Sequence, residues 1–280
     1  MNTIYPEDRK AFASGLTYYW GSLYGSSEAL SLIEFAKTHK QVVLYIARDI
    51  SQSTEILQAL NFYNHDLTIL SFPNWEVLAF DHFSPHPDIV SSRLKTLSQL
   101  ETLEKGIVIT SLESLTQRLC PKNYIAKYSF NIEVGSNLVI ETFINKLLRI
   151  GYRRASSVIE QGEFNVKGAL IDIYPMGSKT PFRIDLFDNE IDSIRTFDPS
   201  TQRSIDSIEK INLLPAREFS SDEESISIFK VNYEKVFGNT DGFIYSEVVE
   251  GRLPGGIEFY LSLFFNKTDT LFDYLPKNTI

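Results

Sequence analysis

The first 110 residues alternate between short apolar runs and longer amphipathic stretches, and this alternation limits the possible folds more than any other feature. Residues 42–47 and 106–110 are apolar at nearly every position, and a weaker run covers residues 67–72. Strands that are buried on both faces of a parallel sheet have this composition. Helical periodicity fills the intervals, at residues 26–39, 51–62 and 89–104. The sequence therefore predicts an α/β domain wound around a parallel sheet.

The pattern changes after Cys120 and Pro121. One helix is predicted over residues 138–149, and strand patterns follow at residues 164–174, 182–187 and 191–197. The polar residues 188–190 separate the last two runs, which predicts an antiparallel hairpin. We therefore predict an α+β domain at 127–212, inserted between a first domain at 1–126 and its return at 213–280. Polar residues 220–224 begin one further helix.

The formal charge is -9, because 36 acidic residues outnumber 27 Lys and Arg residues. The average field therefore repels a phosphate backbone and disfavours autonomous DNA binding. A local basic patch that recognises an acidic protein partner stays possible. The polar residues 1–10, the lack of an apolar run of about 18 residues and the single cysteine predict a cytoplasmic protein without membrane contact or structural zinc.

A glycine-containing loop precedes the first helix, where a nucleotide-binding domain carries its phosphate loop. A working loop follows the pattern G-x-x-x-x-G-K-[ST], in which glycine amides, a lysine and a hydroxyl bind phosphate and Mg²⁺. Residues 22–29 replace both glycines with Ser22 and Ser27, the lysine with Glu28 and the hydroxyl with Ala29. We therefore expect a degenerate loop that binds no ATP.

A simpler interpretation of the same segment is favoured. Gly21 and Gly25 would then form an ordinary loop, and the side chain of Ser26 or Ser27 would cap the helix. Other catalytic or metal-binding candidates are weak: His82 and His86 lie among prolines, and Cys120 has no histidine nearby in sequence. We expect neither a catalytic residue nor a metal site.

Several segments resemble the N-terminal region of the bacterial transcription-repair coupling factors. The first comprises FPNWEVL at residues 72–78 and DHFSPHPDIVSSRL at 81–94. The second comprises GYRR at 151–154, GEFNVKGALIDIYPMGS at 162–178 and FRIDLFDNEIDSIRTFD at 182–198. Residues 213–219 and 253–260 extend the likeness, which covers most of the chain.

This resemblance implies a module similar to the repair protein UvrB. Such a module has a degenerate helicase-like domain of the RecA-like, P-loop type, an inserted domain that binds UvrA, and a return to the first fold. In the family, modules beyond this chain bind RNA polymerase and translocate on DNA with ATP and Mg²⁺. The chain itself is then a non-catalytic adaptor that needs no cofactor and recruits UvrA to stalled RNA polymerase in transcription-coupled nucleotide excision repair.

The resemblance also implies which residues contact UvrA. The positions that match are Arg154, Lys167, Arg183, Asp185 and Phe187. Lys167 stands where the family's R-G-x-[LIV]-[LIV]-D motif has arginine, so it keeps the charge and loses the planar fork. Strand alternation places Arg183, Asp185 and Phe187 on one face. In the alternative interpretation, Phe187 lies in the core and Arg183 merely pairs with Asp185 in solvent.

Two other functions stay open at this level. One is a UvrB-like, ATP-dependent helicase subunit of the excision nuclease, which Glu28 and Ala29 argue against. The other is a silent regulatory domain that restrains the translocase and binds no UvrA.

Overall fold

The computed structural model describes residues 19–64 and 66–280, so the polar residues 1–10, from which a cytoplasmic protein is predicted, lie outside the described part. The chain divides into two compact units. The first contains the described residues up to Asn74, together with Leu100–Leu115 and Leu275–Ile280. The second contains Trp75–Gln99 and Thr116–Tyr274. The predicted boundaries near residues 127 and 212 stay a prediction.

Helices and strands occur in both units. The helices are α1 (Ser27–His39), α2 (Ile50–Tyr63), α3 (Pro87–Leu100), α4 (Leu112–Leu115), α5 (Lys122–Tyr128), α6 (Ile140–Arg149), α7 (Glu223–Phe237), α8 (Phe243–Val249), the 3-10 helix Ile257–Phe264, and α9 (Leu271–Tyr274). The strands are β1 (Val42–Ala47), β2 (Thr68–Phe72), β3 (Gly106–Ser111), β4 (Phe130–Glu133), β5 (Arg153–Arg154), β6 (Glu163–Lys167), β7 (Leu170–Ile173), β8 (Phe182–Phe187), β9 (Glu190–Phe197), β10 (Ser204–Ile208) and β11 (Lys210–Leu213). None of the helices in the described ranges is both long enough and apolar enough to cross a bilayer.

The first unit contains a three-stranded parallel sheet in the order β1-β3-β2. The central strand β3 is buried at every position, as its apolar sequence predicts. At its first residue, a Cβ added to Gly106 would overlap the carbonyl oxygen of Thr68 on β2. Residues of α1, α2 and the sheet form one apolar core. The predicted parallel sheet and its helices are therefore confirmed, although α3 ends at Leu100 and not near residue 104.

A six-stranded sheet dominates the second unit, in the order β10-β9-β8-β7-β6-β5. All neighbours are antiparallel except β5 and β6. The single strand expected at residues 164–174 is in fact a hairpin, because the chain turns at Gly168, whose φ of 62° lies in the region that favours glycine. The hairpin predicted between β8 and β9 is confirmed. Parallel and antiparallel sheets thus occur together in one α/β chain.

A bulge in β9 adjusts its core-facing side chains. Ile191 and Ile194 are both buried although they are three positions apart, whereas strand alternation has a period of two. The register shifts between the pairs Ile184↔Ile194 and Leu186↔Ile191, so one extra residue lies on β9. The bulge therefore keeps both isoleucines on the buried face.

A second apolar core in this unit joins Trp75 to α7, α8 and the 3-10 helix. The side chain of Asp222 caps α7 by accepting a hydrogen bond from the amide of Ser225 at 2.9 Å. Gly238 ends the helix with a φ of 72°. The polar run at residues 220–224 therefore begins a helix, as predicted.

A buried ion pair connects α3 to the segment that follows β11. Arg93 is fully buried and its Nε donates to Glu218, while its Nη2 lies 3.3 Å from the second carboxylate oxygen. The Nη1 of Arg93 donates to Gln117 at 2.9 Å, and the indole of Trp75 lies 5.0 Å from the guanidinium carbon. Because the pair is desolvated, removal of one member leaves an uncompensated charge.

We therefore expect Arg93→Met to lower the free energy of unfolding by about 3 kcal/mol or more, since Glu218 would stay buried without its cation. Urea titration measures this loss. The exposed pair Lys37–Asp66 is the control, and Lys37→Met should cost under about 1 kcal/mol. Equal effects of the two substitutions would contradict the assigned role of Arg93.

Candidate protein-docking face

The loop before α1, which the sequence predicts to be a degenerate phosphate loop, makes hydrogen bonds through its own side chains. Helix α1 begins at Ser27, and the preceding Ser26 makes no side-chain cap, so the predicted serine cap is wrong. The hydroxyl of Ser27 donates to the carbonyl oxygen of Tyr24 at 2.8 Å. Glu28 accepts a hydrogen bond of 2.9 Å from the hydroxyl of Tyr45 on β1. Partial burial and this carboxylate raise the pKa of Tyr45.

The remaining loop positions add no feature that binds phosphate. Gly25 has a φ of 55°, which favours glycine. Space does not require glycine at either position, because a Cβ added to Gly21 or Gly25 would contact nothing within 4 Å. Ala29 is fully buried in the apolar core. Within the described ranges, no strand precedes α1, although a phosphate loop follows one. Residues 21–29 of the loop therefore offer a phosphate group the carboxylate of Glu28 and no Lys or Arg side chain.

The two histidines and the cysteine that the sequence analysis considered are not arranged as a catalytic or metal site. The ring of His86 lies 3.4 Å from the carboxylate of Asp88 at the start of α3, and His82 is exposed in the preceding loop. Cys120 is buried beside the hydroxyl of Tyr274, and burial raises the pKa of its thiol. Across residues 19–64 and 66–280, no group of three or more His, Cys, Asp or Glu residues is arranged to hold a metal ion.

The six-stranded sheet separates an apolar face from a polar face. Ile171, Ile184 and Ile194 lie side by side on neighbouring strands and are buried. Arg183, Asp185 and Phe187 alternate with the buried residues of β8 and occupy the opposite face. The predicted shared face is therefore present in the structure, and each of its three side chains has a different environment.

Arg183 is held within the sheet. Its guanidinium forms a fork with both carboxylate oxygens of Asp172 on β7, at 2.7 and 2.9 Å, and donates to the carbonyl oxygen of Gln202 at 3.1 Å. It also lies 4.9 Å from the ring centre of Phe197. The hydrogen bond with Asp172 raises the pKa of Arg183. Pairing of Arg183 with Asp185 in solvent is therefore wrong, since only 17% of the arginine side chain is exposed.

Asp185 and Phe187 lie closer to the turn of the β8–β9 hairpin. Asp185 pairs with Arg195 on β9 and accepts a hydrogen bond of 3.2 Å from Ser193. Phe187 is 74% exposed. The alternative that places Phe187 in the core is therefore wrong. An aromatic ring this exposed beside charged groups is available to a partner.

Lys167 and Arg154 occupy different parts of the sheet. Lys167 is exposed at the end of β6 and pairs with Leu170, whose other neighbour is Asp185. Arg154 is exposed on the edge strand β5, three strands away from β8. With a strand spacing of about 4.8 Å, this separation is roughly 14 Å. Lys167, Asp185 and Phe187 therefore lie at one end of the sheet, and Arg154 lies on its far edge.

A groove lies beside the β8–β9 turn, and the sequence did not indicate it. The amide of Leu138 donates to the carbonyl oxygen of Asn189 at 2.6 Å, which ties the turn to the chain before α6. The adjoining cavity of about 350 Å³ includes Phe130, Val139 and Lys146. The ammonium of Lys146 lies 3.3 Å from the ring centre of Phe130, and burial lowers its pKa. The long-range pairing of β4 with β11 places Phe130 here, so no local pattern could have shown this groove.

Residues 130–219 match the family model of the UvrB interaction domain, and this range contains every residue predicted to contact UvrA. The chain is 41% identical over 263 residues to a transcription-repair-coupling factor of Haemophilus influenzae and 38% identical over 263 residues to one of Escherichia coli. A relative in Bacillus subtilis is 27% identical over 274 residues. These alignments cover 92 to 93% of this chain and 23% of each relative. The chain thus spans less than a quarter of the length of these proteins.

Two residues on the same face of β8 should differ in their effect on stability. Phe187→Ala should change the free energy of unfolding by less than about 0.5 kcal/mol, because the ring is exposed. Arg183→Ala should lower it by about 2 kcal/mol or more, because Asp172 loses both charged hydrogen bonds. Chemical denaturation of both variants tests this difference. A larger loss for Phe187→Ala would be incompatible with the arrangement of β8.

Proposed function

We propose that this chain, which is related to the transcription-repair-coupling factors over nearly its whole length, is an adaptor module that recruits UvrA in transcription-coupled nucleotide excision repair. The match of residues 130–219 to the UvrB interaction domain carries this proposal. A domain shared with UvrB supplies the same kind of docking surface. Phe187, exposed on a rigid hairpin within that domain, is the proposed centre of the contact.

The charges around Phe187 support a protein partner. Interface residues with the largest effect on affinity are commonly aromatic residues and arginines surrounded by polar groups. Lys167 supplies a free cation at the same end of the sheet, because no ion pair engages it in the described part of the chain. Asp185 is already neutralised by Arg195. We propose that UvrA buries Phe187 and places an acidic group near Lys167.

Arg183 and Arg154 have different proposed roles. Arg183 holds β8 against β7 through Asp172, and the exposed part of its guanidinium contacts UvrA. Arg154 on β5 marks the far limit of the surface. A contact that includes both Arg154 and Phe187 must extend over three strand spacings, and an interface of ordinary size is large enough for this.

The chain itself is proposed to be non-catalytic and to need no cofactor. We further propose that its first unit is a degenerate helicase-like domain, in which the hydrogen bond between Glu28 and Tyr45 replaces phosphate binding. The remaining three quarters of the longer relatives would then supply ATP and Mg²⁺ binding, DNA translocation and the contact with RNA polymerase. A cytoplasmic location belongs to the same proposal.

Phe187→Ala should weaken binding of UvrA to this chain about tenfold or more, because an interface loses its apolar anchor. Phe62→Ala is a matched control, since Phe62 is also 74% exposed but lies on α2 of the first unit. Its affinity should equal that of the unmodified chain. Titration calorimetry with purified UvrA measures both values.

The lysine in the motif adds a second arm to this experiment. Lys167→Ala should weaken binding, and Lys167→Arg should preserve or strengthen it, because arginine restores the planar fork. If the unmodified chain binds no UvrA, a silent regulatory domain is the better account. If it binds with full affinity after Phe187→Ala, the contact lies elsewhere in the domain.

Titration with Mg-ATP should give no binding heat, because Glu28 places a carboxylate where a nucleotide site needs a cation. Glu28→Gln removes the charge and keeps an acceptor for Tyr45, so this variant should fold normally and still not bind ATP. Micromolar binding that disappears on substitution of residues 21–29 would instead favour the UvrB-like helicase subunit.

A further inference from the structure

A second surface lies on the loop before α3, within the same unit as the proposed UvrA contact around Phe187. Three large apolar side chains of this loop are exposed: Leu78 by 77%, Phe80 by 66% and Phe83 by 69%. Single exposed apolar residues are common, whereas a cluster of three in six residues is a feature of interaction sites.

The backbone of this loop is held in an unfavourable conformation. The amide of Asp81 donates to the carbonyl oxygen of Leu78 at 3.1 Å, which closes a tight turn. Phe80 is the third residue of that turn and has a φ of 62°. Turns with positive φ at this position favour glycine, and bulky residues rarely adopt it. A bulky residue in this conformation costs folding free energy, and such strain is concentrated at functional sites.

Contacts from the segment before the 3-10 helix keep the loop in place. The backbone at Gly255 and Gly256 approaches the carbonyl oxygens of His82 and Asp81 so closely that a Cβ at either glycine would overlap them. The hydroxyl of Ser84 donates to the carboxylate of Glu258 at 2.8 Å. The loop is therefore preorganised, which reduces the entropy that a partner must remove on binding.

The exposed loop continues into a wider aromatic surface. The ring centre of Phe80 lies 5.7 Å from that of Tyr260, which lies 6.2 Å from that of Phe237. Phe237 is exposed at the end of α7. These exposed and partly exposed side chains together form the aromatic surface: Leu78, Phe80, Phe83, Tyr260 and Phe237.

The chain around the aromatic surface is acidic. Residues 73–92, 237–251 and 253–266 contain seven Asp and Glu residues and neither Lys nor Arg. Arg252, between two of these segments, is bound to Glu247 and Glu250, and Arg217 pairs with the buried Glu258. The acidic charge of this region therefore comes mainly from Glu76, Asp81, Asp88 and Asp241. The last turn of α7 adds Lys235 and its neighbour Glu234, which offset each other in charge. A ligand with positive charge around an apolar centre complements this surface.

We propose that the aromatic surface docks a segment of a partner protein in which apolar side chains stand among Lys and Arg residues. Nucleic acid fits poorly, because its phosphates would meet the acidic surroundings. A second copy of this chain fits poorly for the same electrostatic reason. The aromatic surface shares no residue with the proposed UvrA contact on β8, so this proposal does not rest on that contact.

Phe80→Gly is the most informative variant, because glycine accepts the φ of residue 80 while the ring is lost. The probe is a fluorescent helical peptide of about 15 to 20 residues with leucines on one face and lysines on the other. Its affinity, followed by anisotropy, should fall about tenfold or more in Phe80→Gly. Phe62→Ala is the matched control and should bind as the unmodified chain does. The melting temperature of Phe80→Gly should stay equal or rise.

A second variant, Phe83→Ala, keeps the turn residue intact and should also weaken peptide binding. The same leucine pattern with glutamates in place of lysines should bind at least tenfold more weakly to the unmodified chain. Equal affinity of Phe80→Gly, Phe83→Ala and the control would overturn the proposal. So would equal binding of the acidic peptide, DNA binding that Phe80→Gly abolishes, or self-association in sedimentation that Phe80→Gly abolishes.

Discussion

The buried pair between Arg93 and Glu218 is the interaction on which the second unit depends. It joins two segments that are 125 residues apart in sequence and draws in Trp75, which opens the loop that carries the aromatic surface. Glu218 lies five residues after the end of β11, so the same pair also holds the segment that follows this strand. Because both charges are desolvated, each is stable only in the presence of the other. Everything proposed for this unit presupposes that this pair has formed.

The polar face of the six-stranded sheet carries both a residue that stabilises the fold and a residue that is exposed for binding. The fork between Arg183 and Asp172 satisfies a carboxylate that would otherwise be buried and unpaired. Phe187 lies four residues farther along the same strand and the same face, beyond the loops that partly cover Arg183. One strand therefore contains a residue whose loss affects folding and a residue whose loss affects only what binds. Sequence similarity to a docking motif does not separate these two roles.

Local patterns predicted much of the fold, and long-range contacts account for the rest. Apolar runs and helical periodicity indicated the parallel sheet of the first unit, and alternation indicated the common face of β8. The sequence did not predict the hairpin at Gly168, because the residues around it keep a strand-like pattern through the turn. The pairing of β4 with β11 joins Ile132 to Ile211, far apart in sequence, and no local pattern contains such information. Whether Phe187 faced solvent or core was equally undetermined, because either face of a strand can be covered.

Phe187 and Phe80 are comparably exposed, yet their backbones differ, and this difference bears on how each surface works. Phe187 ends a regular strand, so its exposure needs no compensating contact. Phe80 has a left-handed conformation, and the close packing of Gly255 and Gly256 against the loop helps to maintain it. A sequence that merely tolerated an exposed phenylalanine would relieve this strain by placing glycine there. Retention of the ring in the less favourable conformation argues that its position, and not only its hydrophobicity, is what a partner recognises.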